Sequence, residues 1–464
     1  MPRWTIVVAA AIRYGCPCSD GDHALGGGVR GDGGWGTMIE TATIEEHARS
    51  GVANRENKPQ REFGFGVTAN TILGYTLVKG LQMTLHNLIF PLYAYSLGYN
   101  QETIGRLNAT GALMVLVASL PLGMLADWIG RAKLLAISGI LLPLSLLGVG
   151  LAQSLPTLVF WMLVQNAIAV IYWSATSPLL IGAVTAEQRV RAFSINSFFL
   201  WGVGALGSAL GGIVTASAAG VLGVSSDSTG PLRAALIFNA LITLVGGLPL
   251  WRIRNLESAG DNAKGRAPFR LADLRLFGRL LIPDALQACG SGAIIGFLPL
   301  FFTLRFGVEP GLLGALFTVT GVLGGVAALS APIIARRFGN IRAIGGLMGG
   351  VAVCIAAMVT MPFLLGAVIF EACRAGLRGT IDPIYTPYAI SRVAPERRGT
   401  LAGLYNVTYA TGFSLGPLIS GWIQVHHGFG PAFVMSASAY ILAAIAMALL
   451  WRDLPDESPV LARA

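Results

Sequence analysis

The feature that most constrains this chain is a series of long apolar runs separated by short breaks. The runs begin near residue 66 and continue to residue 450. An α-helix needs about 20 mostly apolar residues to cross the hydrocarbon core of a bilayer. Runs of roughly this length recur along the chain, so the sequence predicts an all-α polytopic membrane protein with 12 transmembrane helices.

The composition points the same way. Of the 464 residues, 54% are hydrophobic and only 12% are charged. Soluble domains carry about 25% charged residues, so an ordinary soluble fold is excluded. The formal net charge of +9 is concentrated in short clusters between the runs, which favours a role in membrane topology. We therefore predict the lipid bilayer, and no nucleic acid, as a partner.

The apolar runs fall into two groups of six. A charged segment between the groups divides the chain into a predicted N-terminal six-helix bundle (66–251), a cytoplasmic basic linker (252–276) and a C-terminal six-helix bundle (277–451). The predicted spans are 69–97, 103–128, 134–152, 156–184, 192–218, 232–251, 278–304, 311–335, 341–362, 364–391, 400–424 and 430–450.

The two ends of the chain differ from this apolar region. Residues 1–65 hold a Gly-rich patch and scattered charges, which is typical of a disordered tail. Residues 452–464 form a second predicted tail, and both tails are predicted to be cytoplasmic. The sequence leaves open whether residues 1–37 belong to the mature protein, because Met38 could be the true start.

Basic residues lie almost entirely on one side of the predicted spans. The connections on the other side have only Arg106, Arg233 and Arg305 near helix ends. By the positive-inside rule the basic side faces the cytoplasm, which predicts a multi-pass protein of the plasma membrane with both termini cytoplasmic. The basic connections hold Arg131, Lys133, Arg189, Arg191, Arg252, Arg254, Lys264, Arg266, Arg270, Arg275, Arg336, Arg337, Arg342, Arg392, Arg397, Arg398 and Arg452.

An eleven-residue motif joins the second and third predicted spans on the basic side. It reads G-x-L-A-D-x-x-G-R-x-K from Gly123 to Lys133, with Asp127, Gly130 and Arg131 at its fixed positions. From the residues alone, Gly123 would let another helix approach closely, and Gly130 would permit a tight turn. Arg131 and Lys133 would hold the connection at the anionic leaflet.

This motif resembles the signature of the major facilitator superfamily, and the likeness extends over about residues 66–452. The resemblance implies two pseudo-symmetric six-helix bundles. It also implies that the motif is a conformational gate, in which Asp127 latches against the eleventh span. A degenerate copy follows the eighth span from Pro332 to Arg342, with Arg336 at the acidic position. Such internal symmetry is expected of a transporter built from two related halves.

A glycine-rich pattern in the fifth span bears on the direction of transport. Exporters of the family often have G-P-x-x-G-G there, and this chain has Ser208 in place of the proline, followed by Gly211 and Gly212. A similar pattern surrounds Pro417 in the eleventh span. Close helix packing is the simpler interpretation. The general likeness to drug-efflux branches favours export over uptake.

The tenth predicted span holds four charged residues, Glu371, Arg374, Arg378 and Asp382. Their spacing places them on one helical face. Each charge costs about 2.5–3.5 kcal/mol at the membrane centre, so the face is predicted to point into the bundle. Pairing of Glu371 with Arg374, and of Arg378 with Asp382, would neutralise it. The face is either structural glue between helices or a substrate or proton site, and we favour the second.

Lys79, Gln82 and His86 occupy one face of the first span. Lys79 could reach the cytoplasmic surface, and His86 could be an ordinary core residue. The resemblance implies a central cavity lined by spans one, four, seven and ten, which adds these three residues to the candidate substrate or proton site. It also raises interest in Gln165, Asn166, Trp173, Asp284 and Gln287, of which Asp284 could simply cap a helix.

The sequence therefore predicts a secondary transporter that moves a small solute by alternating access, coupled to protons. No phosphate-binding loop of the ATPase type, no H-E-x-x-H motif and no convincing nucleophile with a base occur, so no enzyme activity, catalytic residue, cofactor or metal site is predicted. The alternative is a transporter-like sensor or assembly protein without solute flux.

Overall fold

In the computed structural model, residues 65–185, 188–255, 271–394 and 397–453 are described. All regular elements in these ranges are helical, and they form twelve long helical units. Each unit corresponds to one predicted span, including the closely adjacent ninth and tenth, which are separated at residues 361–363. The predicted tail 1–65, except Phe65, and most of the predicted linker lie outside the described residues.

We label the helical units α1 to α12 in chain order. α5, α7 and α8 each contain a break, so both of their segments are given. The units are α1 Val67–Ser96, α2 Gln101–Ile129, α3 Arg131–Leu151, α4 Leu155–Ala183, α5 Arg189–Ser197 with Leu206–Leu222, α6 Thr229–Gly247, α7 Leu271–Ile295 with Leu298–Phe306, α8 Pro310–Ala328 with Ala331–Phe338, α9 Asn340–Thr360, α10 Leu364–Ser391, α11 Arg398–His427 and α12 Phe429–Leu450.

The units differ in how apolar they are. Eight of them within the described ranges are long and apolar enough, by length and composition, to cross a membrane. The other four, α1, α2, α10 and α11, fall below that threshold. α10 falls short because it carries the four charges predicted to face inward. Polar residues are thus concentrated in a few helices, where neighbouring helices can shield them from lipid.

The same helix packing occurs in the N-terminal half, α1 to α6, and in the C-terminal half, α7 to α12. In the first half, α3 packs on α4 and α6, α1 packs on α5 and α6, α2 packs on α4, and α5 packs on α6. Each of these contacts has its counterpart six units later, beginning with α9 on α10 and α12. The predicted pseudo-symmetric twelve-helix fold is therefore confirmed. The residue bounds assigned to the two bundles and the linker stay predictions.

Two glycines in the motif and its degenerate copy make equivalent turns. Gly130 separates α2 from α3 with a φ of 98°, and Gly339 separates α8 from α9 with a φ of 80°. Side chains rarely tolerate this backbone region, so glycine fits both positions. The tight turn predicted at Gly130 is present. Among the described residues, no heavy atom of another helix lies within 4 Å of a Cβ placed on Gly123, so the close helix approach expected there is not seen among them.

The two halves meet through glycine-mediated backbone contacts. A Cβ on Gly105 of α2 would overlap the Pro417 carbonyl of α11, and one on Gly421 would lie 2.6 Å from the Gln101 carbonyl. Between α5 and α8, a Cβ on Gly314 would lie 2.5 Å from the Ser208 carbonyl. These contacts lie toward the end opposite the basic connections. We call the two ends of the bundle the opposite end and the basic end.

α5 is irregular where it contacts α8. A π-helical turn at Phe198–Gly202 and a 3-10 turn at Val203–Ala205 interrupt it. The Thr318 hydroxyl of α8 accepts from the Ala209 N–H at 3.0 Å and donates to the Ala205 carbonyl at 3.0 Å. A side chain from one half therefore bridges two backbone groups of the other.

We expect Thr318→Val to destabilise this conformation by about 1–3 kcal/mol, because it removes two hydrogen bonds between α8 and α5. Thermal unfolding of the purified protein in detergent measures the effect. Thr318→Ser is the matched control, since it keeps the hydroxyl, and it should unfold closer to the wild-type temperature. Equal unfolding temperatures for wild type and Thr318→Val would contradict the bridging role.

Candidate functional site

The charged face of α10 contains a buried ion pair near the end of the N-terminal third of the helix. Arg374 Nε donates to Glu371 Oε2 at 2.7 Å, and Arg374 Nη2 donates to Glu371 Oε1 at 2.6 Å. The two side chains are only 7% and 2% exposed. This bidentate geometry satisfies both charges inside the helix bundle. The predicted pairing is present, and burial makes this pair suited to holding helices in place.

A second ion pair lies further along the same face, and its carboxylate side chain is half-exposed while its arginine is mostly buried. Arg378 Nη1 is 2.8 Å from Asp382 Oδ1, and the Asp382 side chain is 49% exposed. The Arg378 Nε also donates to the Ser291 hydroxyl of α7 at 3.5 Å. A charge exposed to lipid is costly, so the exposed carboxylate is best accommodated toward a water-filled interior. Of the two pairs, this one has the more exposed carboxylate.

Asp284 of α7 joins this region as a buried carboxylate. It is fully buried, thirteen residues beyond the first residue of its helix, so the helix-cap interpretation was wrong. Gln287 Nε2 donates to its Oδ1 at 3.0 Å, and the Thr408 hydroxyl donates to its Oδ2 at 3.4 Å. Tyr405 of α11 is near enough to this carboxylate to interact with it electrostatically. Within the residues that the structure describes, Asp284 is held by neutral groups.

Ring hydroxyls surround the same cluster. Tyr440 of α12 lies 2.5 Å from the Ser291 hydroxyl, the group to which Arg378 donates. Tyr409 and Tyr440 are near enough to Arg378 to interact with it electrostatically. We call this set of groups on α7, α10, α11 and α12 the C-half cluster. Its members are Asp284, Gln287, Ser291, Arg378, Asp382, Tyr405, Thr408, Tyr409 and Tyr440.

A cavity of about 220 Å³ borders the C-half cluster toward the basic end. Its lining is mostly aliphatic, and Tyr405, which interacts electrostatically with Asp284, forms part of the wall. Thr386 and Asn406 are its other polar side chains. Small-molecule sites are mostly apolar with a few placed polar groups, and their volumes run from about 300 Å³ upward. This cavity is therefore smaller than a typical whole site.

A separate polar cluster lies in the N-terminal half. Lys79 Nζ donates to Gln82 Oε1 at 2.6 Å, and Lys79 is 4% exposed. The ammonium therefore points to a residue further into the bundle, not toward the cytoplasmic surface. Gln165 Nε2 of α4 lies 3.3 Å from His86 Nε2, and the His86 ring stacks on Phe90.

Asn239 of α6 completes this N-half cluster by donating to the Gln82 carbonyl at 3.3 Å. The structure thus joins Lys79 to Gln82 and His86 to Gln165, and their role as a substrate or proton site stays a prediction. Asn166 instead donates to the Met162 carbonyl within α4, and Trp173 is half-exposed. Whether the N-half cluster faces the α10 charges across one cavity stays a prediction.

The gate residues lie at the basic end of α2 and the start of α3. Asp127 is in the last full turn of α2, and its side chain lies outside the described residues. Arg131 begins α3, and Lys133 is exposed. The neighbouring Trp128 is 85% exposed. The backbone thus places the motif where a gate would act, and the proposed latch itself stays a prediction.

The architecture is that of a two-lobed membrane carrier. It has two repeated six-helix halves, polar clusters inside an apolar bundle, and glycine-mediated backbone contacts between the halves. The family model for the Major Facilitator Superfamily matches residues 72–411 and 372–464. The chain therefore belongs to the major facilitator superfamily, as its motif predicted. A comparison with curated proteins finds no match.

Solved structures share this fold at low sequence identity. The chain is similar to a bacterial homologue of the human lysosomal transporter Spinster, in an inward-facing and unoccupied conformation, with a TM-score of 0.72 and 16% identity. That match covers 86% of this chain and 98% of the other. The nucleoside transporter NupG matches with a TM-score of 0.65 and 14% identity, and the match covers 82% of this chain and 99% of the other. The D-xylose-proton symporter matches with a TM-score of 0.64 and 14% identity, and the match covers 84% of this chain and 98% of the other.

The sequence interpretation missed most of the C-half cluster. Tyr405, Thr408 and Tyr440 reach the charges from helices far apart in the chain. Ser291 is one neutral residue in an apolar run, so its pattern carries no signal. Asp284 had a signal, because a carboxylate thirteen residues into a membrane helix is too deep to be an N-terminal cap.

We expect Glu371→Gln to destabilise the fold by about 3–5 kcal/mol, because it leaves Arg374 buried without its counter-charge. Thermal unfolding and the yield of monodisperse protein measure the loss. Replacing both residues by glutamine should recover part of it.

Glu102→Gln is the matched control for this prediction. Glu102 pairs with Arg106 within α2, and the Arg106 side chain is 66% exposed. Losing an exposed pair should change stability by no more than about 1 kcal/mol. If Glu371→Gln behaved like Glu102→Gln, the α10 pair would not be a structural element.

Proposed function

We propose that this chain is a proton-coupled secondary transporter that moves a small solute by alternating access. The observation that carries the proposal is the Arg378–Asp382 ion pair, whose carboxylate side chain is half-exposed. A charged pair deep in a membrane protein is costly, and structural burial alone would favour a sealed geometry such as that of Glu371 and Arg374. The accessible pair is suited to exchange its partner during a transport cycle.

The contacts between the halves support an alternating mechanism. Backbone contacts near Gly105, Gly421 and Gly314 hold the opposite end together. At the basic end, a Cβ on Gly123 would meet no described residue of another helix within 4 Å. This arrangement favours a conformation with one closed and one open end. Rocking of the two halves about a site near the middle would exchange them. The setting of Gly123 is compatible with a latch that is disengaged in this state.

Proton coupling is proposed because carboxylates in the C-half cluster can exchange protons. Asp382 is half-exposed and Asp284 has neutral hydrogen-bond partners. A structurally similar protein is a D-xylose-proton symporter, which makes proton coupling compatible with this fold. Intramembrane carboxylates recur in proton relays of pumps and transporters.

Export and a plasma-membrane location with cytoplasmic termini are also proposed. The location rests on the basic connections, which favour the cytoplasmic side for the basic end. The direction rests on the likeness of the α5 pattern to that of exporters. Gly207 of that pattern contacts α1 and Gly212 contacts α8. These contacts give the pattern a packing role, so a directional flux measurement decides between export and uptake.

Flux into inverted membrane vesicles with an imposed pH gradient tests the proposal. A solute found by thermal-shift screening should accumulate against its gradient, and a protonophore should abolish accumulation. Facilitated solute flux that does not depend on the pH gradient would contradict the proposed proton coupling. Binding without flux under every gradient would favour a sensor that has kept the transporter fold.

Asp127→Asn should lower flux at least severalfold while leaving membrane insertion and unfolding temperature unchanged, because it removes the charge of the proposed latch. The measurement is initial flux per folded protein in the same vesicles. Asp453→Asn is a control at an exposed carboxylate after α12 and should transport normally. Wild-type flux in Asp127→Asn would reject the latch.

Arg378→Ala should abolish coupled flux, because Asp382 would lose its ion-pair partner near the middle of the bundle. Solute binding, solute counterflow and proton-driven accumulation should be compared in the same preparation. Loss of accumulation with counterflow retained would assign the pair to coupling. Reduced protein yield with normal activity per molecule would instead assign it a structural role.

A further inference from the structure

Lys79 is a buried cation without a nearby counter-charge. It is 4% exposed, and no acidic side chain lies within 4.0 Å of it in the part of the chain that the structure describes. Its described hydrogen bond goes to the neutral Gln82 amide at 2.6 Å. This differs from the C-terminal half, where Arg374 and Arg378 both have carboxylate partners.

Burying the charge of Lys79 without a counter-charge has a large free-energy cost. An ion taken out of water costs several kcal/mol, and a single neutral partner returns only part of that cost. An ammonium group has three donors, and the described bond to Gln82 uses one of them. A bound anion would supply both the missing charge and the missing acceptors.

Neighbouring groups in the N-half cluster also lack partners. His86 Nδ1, Gln165 Oε1 and Asn239 Oδ1 are buried and have no hydrogen-bond partner. His86 is 9% exposed and Gln165 is 8% exposed. If the Gln165 amide donates to His86 Nε2, the ring proton lies on Nδ1, which is then a free donor. Buried polar groups are normally paired, so this concentration of unpaired atoms beside Lys79 indicates a place for a ligand.

We propose that the solute is a small organic carboxylate that binds to Lys79, while other members of the N-half cluster form hydrogen bonds with its remaining polar atoms. The carboxylate accepts hydrogen bonds from the Lys79 ammonium. The unpaired Gln165 and Asn239 oxygens accept from hydroxyl or amide hydrogens of the solute, and His86 Nδ1 donates to one of its oxygens. This inference rests on the proposed transport function and adds the substrate class.

The arrangement also separates the roles of the two halves. Lys79 has no ion-pair partner among the described residues, so an anion can bind there without breaking a described pair. Arg378 already has Asp382, so an anion would have to compete for it. The N-half cluster is therefore the better anion site, and the C-half cluster is left for proton exchange.

Thermal-shift titration of the purified full chain in detergent tests this inference. The probes are acetate, lactate, succinate, glutamate, benzoate and inorganic phosphate, with the neutral amide of each carboxylate as its partner. At least one carboxylate should raise the unfolding temperature, and its amide should not. Lys79→Gln should weaken binding of that carboxylate by at least about tenfold, whereas Lys79→Arg should retain most of it.

The control is Lys264→Gln, which makes the same charge change in the predicted linker and should bind like the wild type. Lys79→Met is a second neutral variant, used if Lys79→Gln does not fold. Equal carboxylate binding in wild type and in a folded neutral variant would overturn the proposal. So would stabilisation by amides but by no carboxylate in the panel, by phosphate alone, or by none of the probes.

A flux measurement separates this proposal from the proposed transport function. Radiolabelled carboxylate should enter proteoliposomes containing wild-type protein and fail to enter those containing Lys79→Gln. Lys79-dependent binding without flux would keep the anion site and reject transport. Flux of a neutral or cationic solute that is insensitive to Lys79→Gln would keep transport and reject the carboxylate.

Discussion

Close contact between backbones is the constraint on which this structure depends. Where α2 meets α11 and α5 meets α8, glycines such as Gly105 and Gly314 leave no room for a side chain between the helices. In lipid, helix association relies on this kind of packing because there is no hydrophobic gain from contact alone. Helices that pack in this way can separate without first disengaging interdigitated side chains. Thr318 of α8 adds two hydrogen bonds to the backbone of α5 at this contact.

Charge burial explains how the polar residues are distributed inside this frame. Glu371 and Arg374 satisfy each other and are sealed, while Asp382 is accessible in its pair with Arg378. Lys79 lacks a described acidic partner and lies among unpaired polar atoms of the other half. A stable pair, an exchangeable pair and an uncompensated cation would have different roles. The first stabilises, the second suits proton exchange and the third suits anion binding.

Much of the fold was predictable because membrane helices are encoded locally. Run lengths located all twelve helical units, and the motif glycine Gly130 has the positive φ that its turn requires. The pairing of Arg378 with Asp382 also followed from helical spacing. The breaks in α5, α7 and α8 did not, because they depend on tertiary partners such as Thr318. The environment of Asp284 likewise depends on α11, more than a hundred residues away.

The proposed transport mechanism requires the two ends of the bundle to open alternately. It is tested by distance measurements between spin labels on a chain whose native cysteines are replaced, with one pair at positions 128 and 338 at the basic end and another at 95 and 363 at the opposite end. All four positions are exposed. As solute or pH changes, the basic-end distance should shorten while the opposite-end distance lengthens. Distances that stay constant at both ends, or that lengthen together, would contradict alternating access.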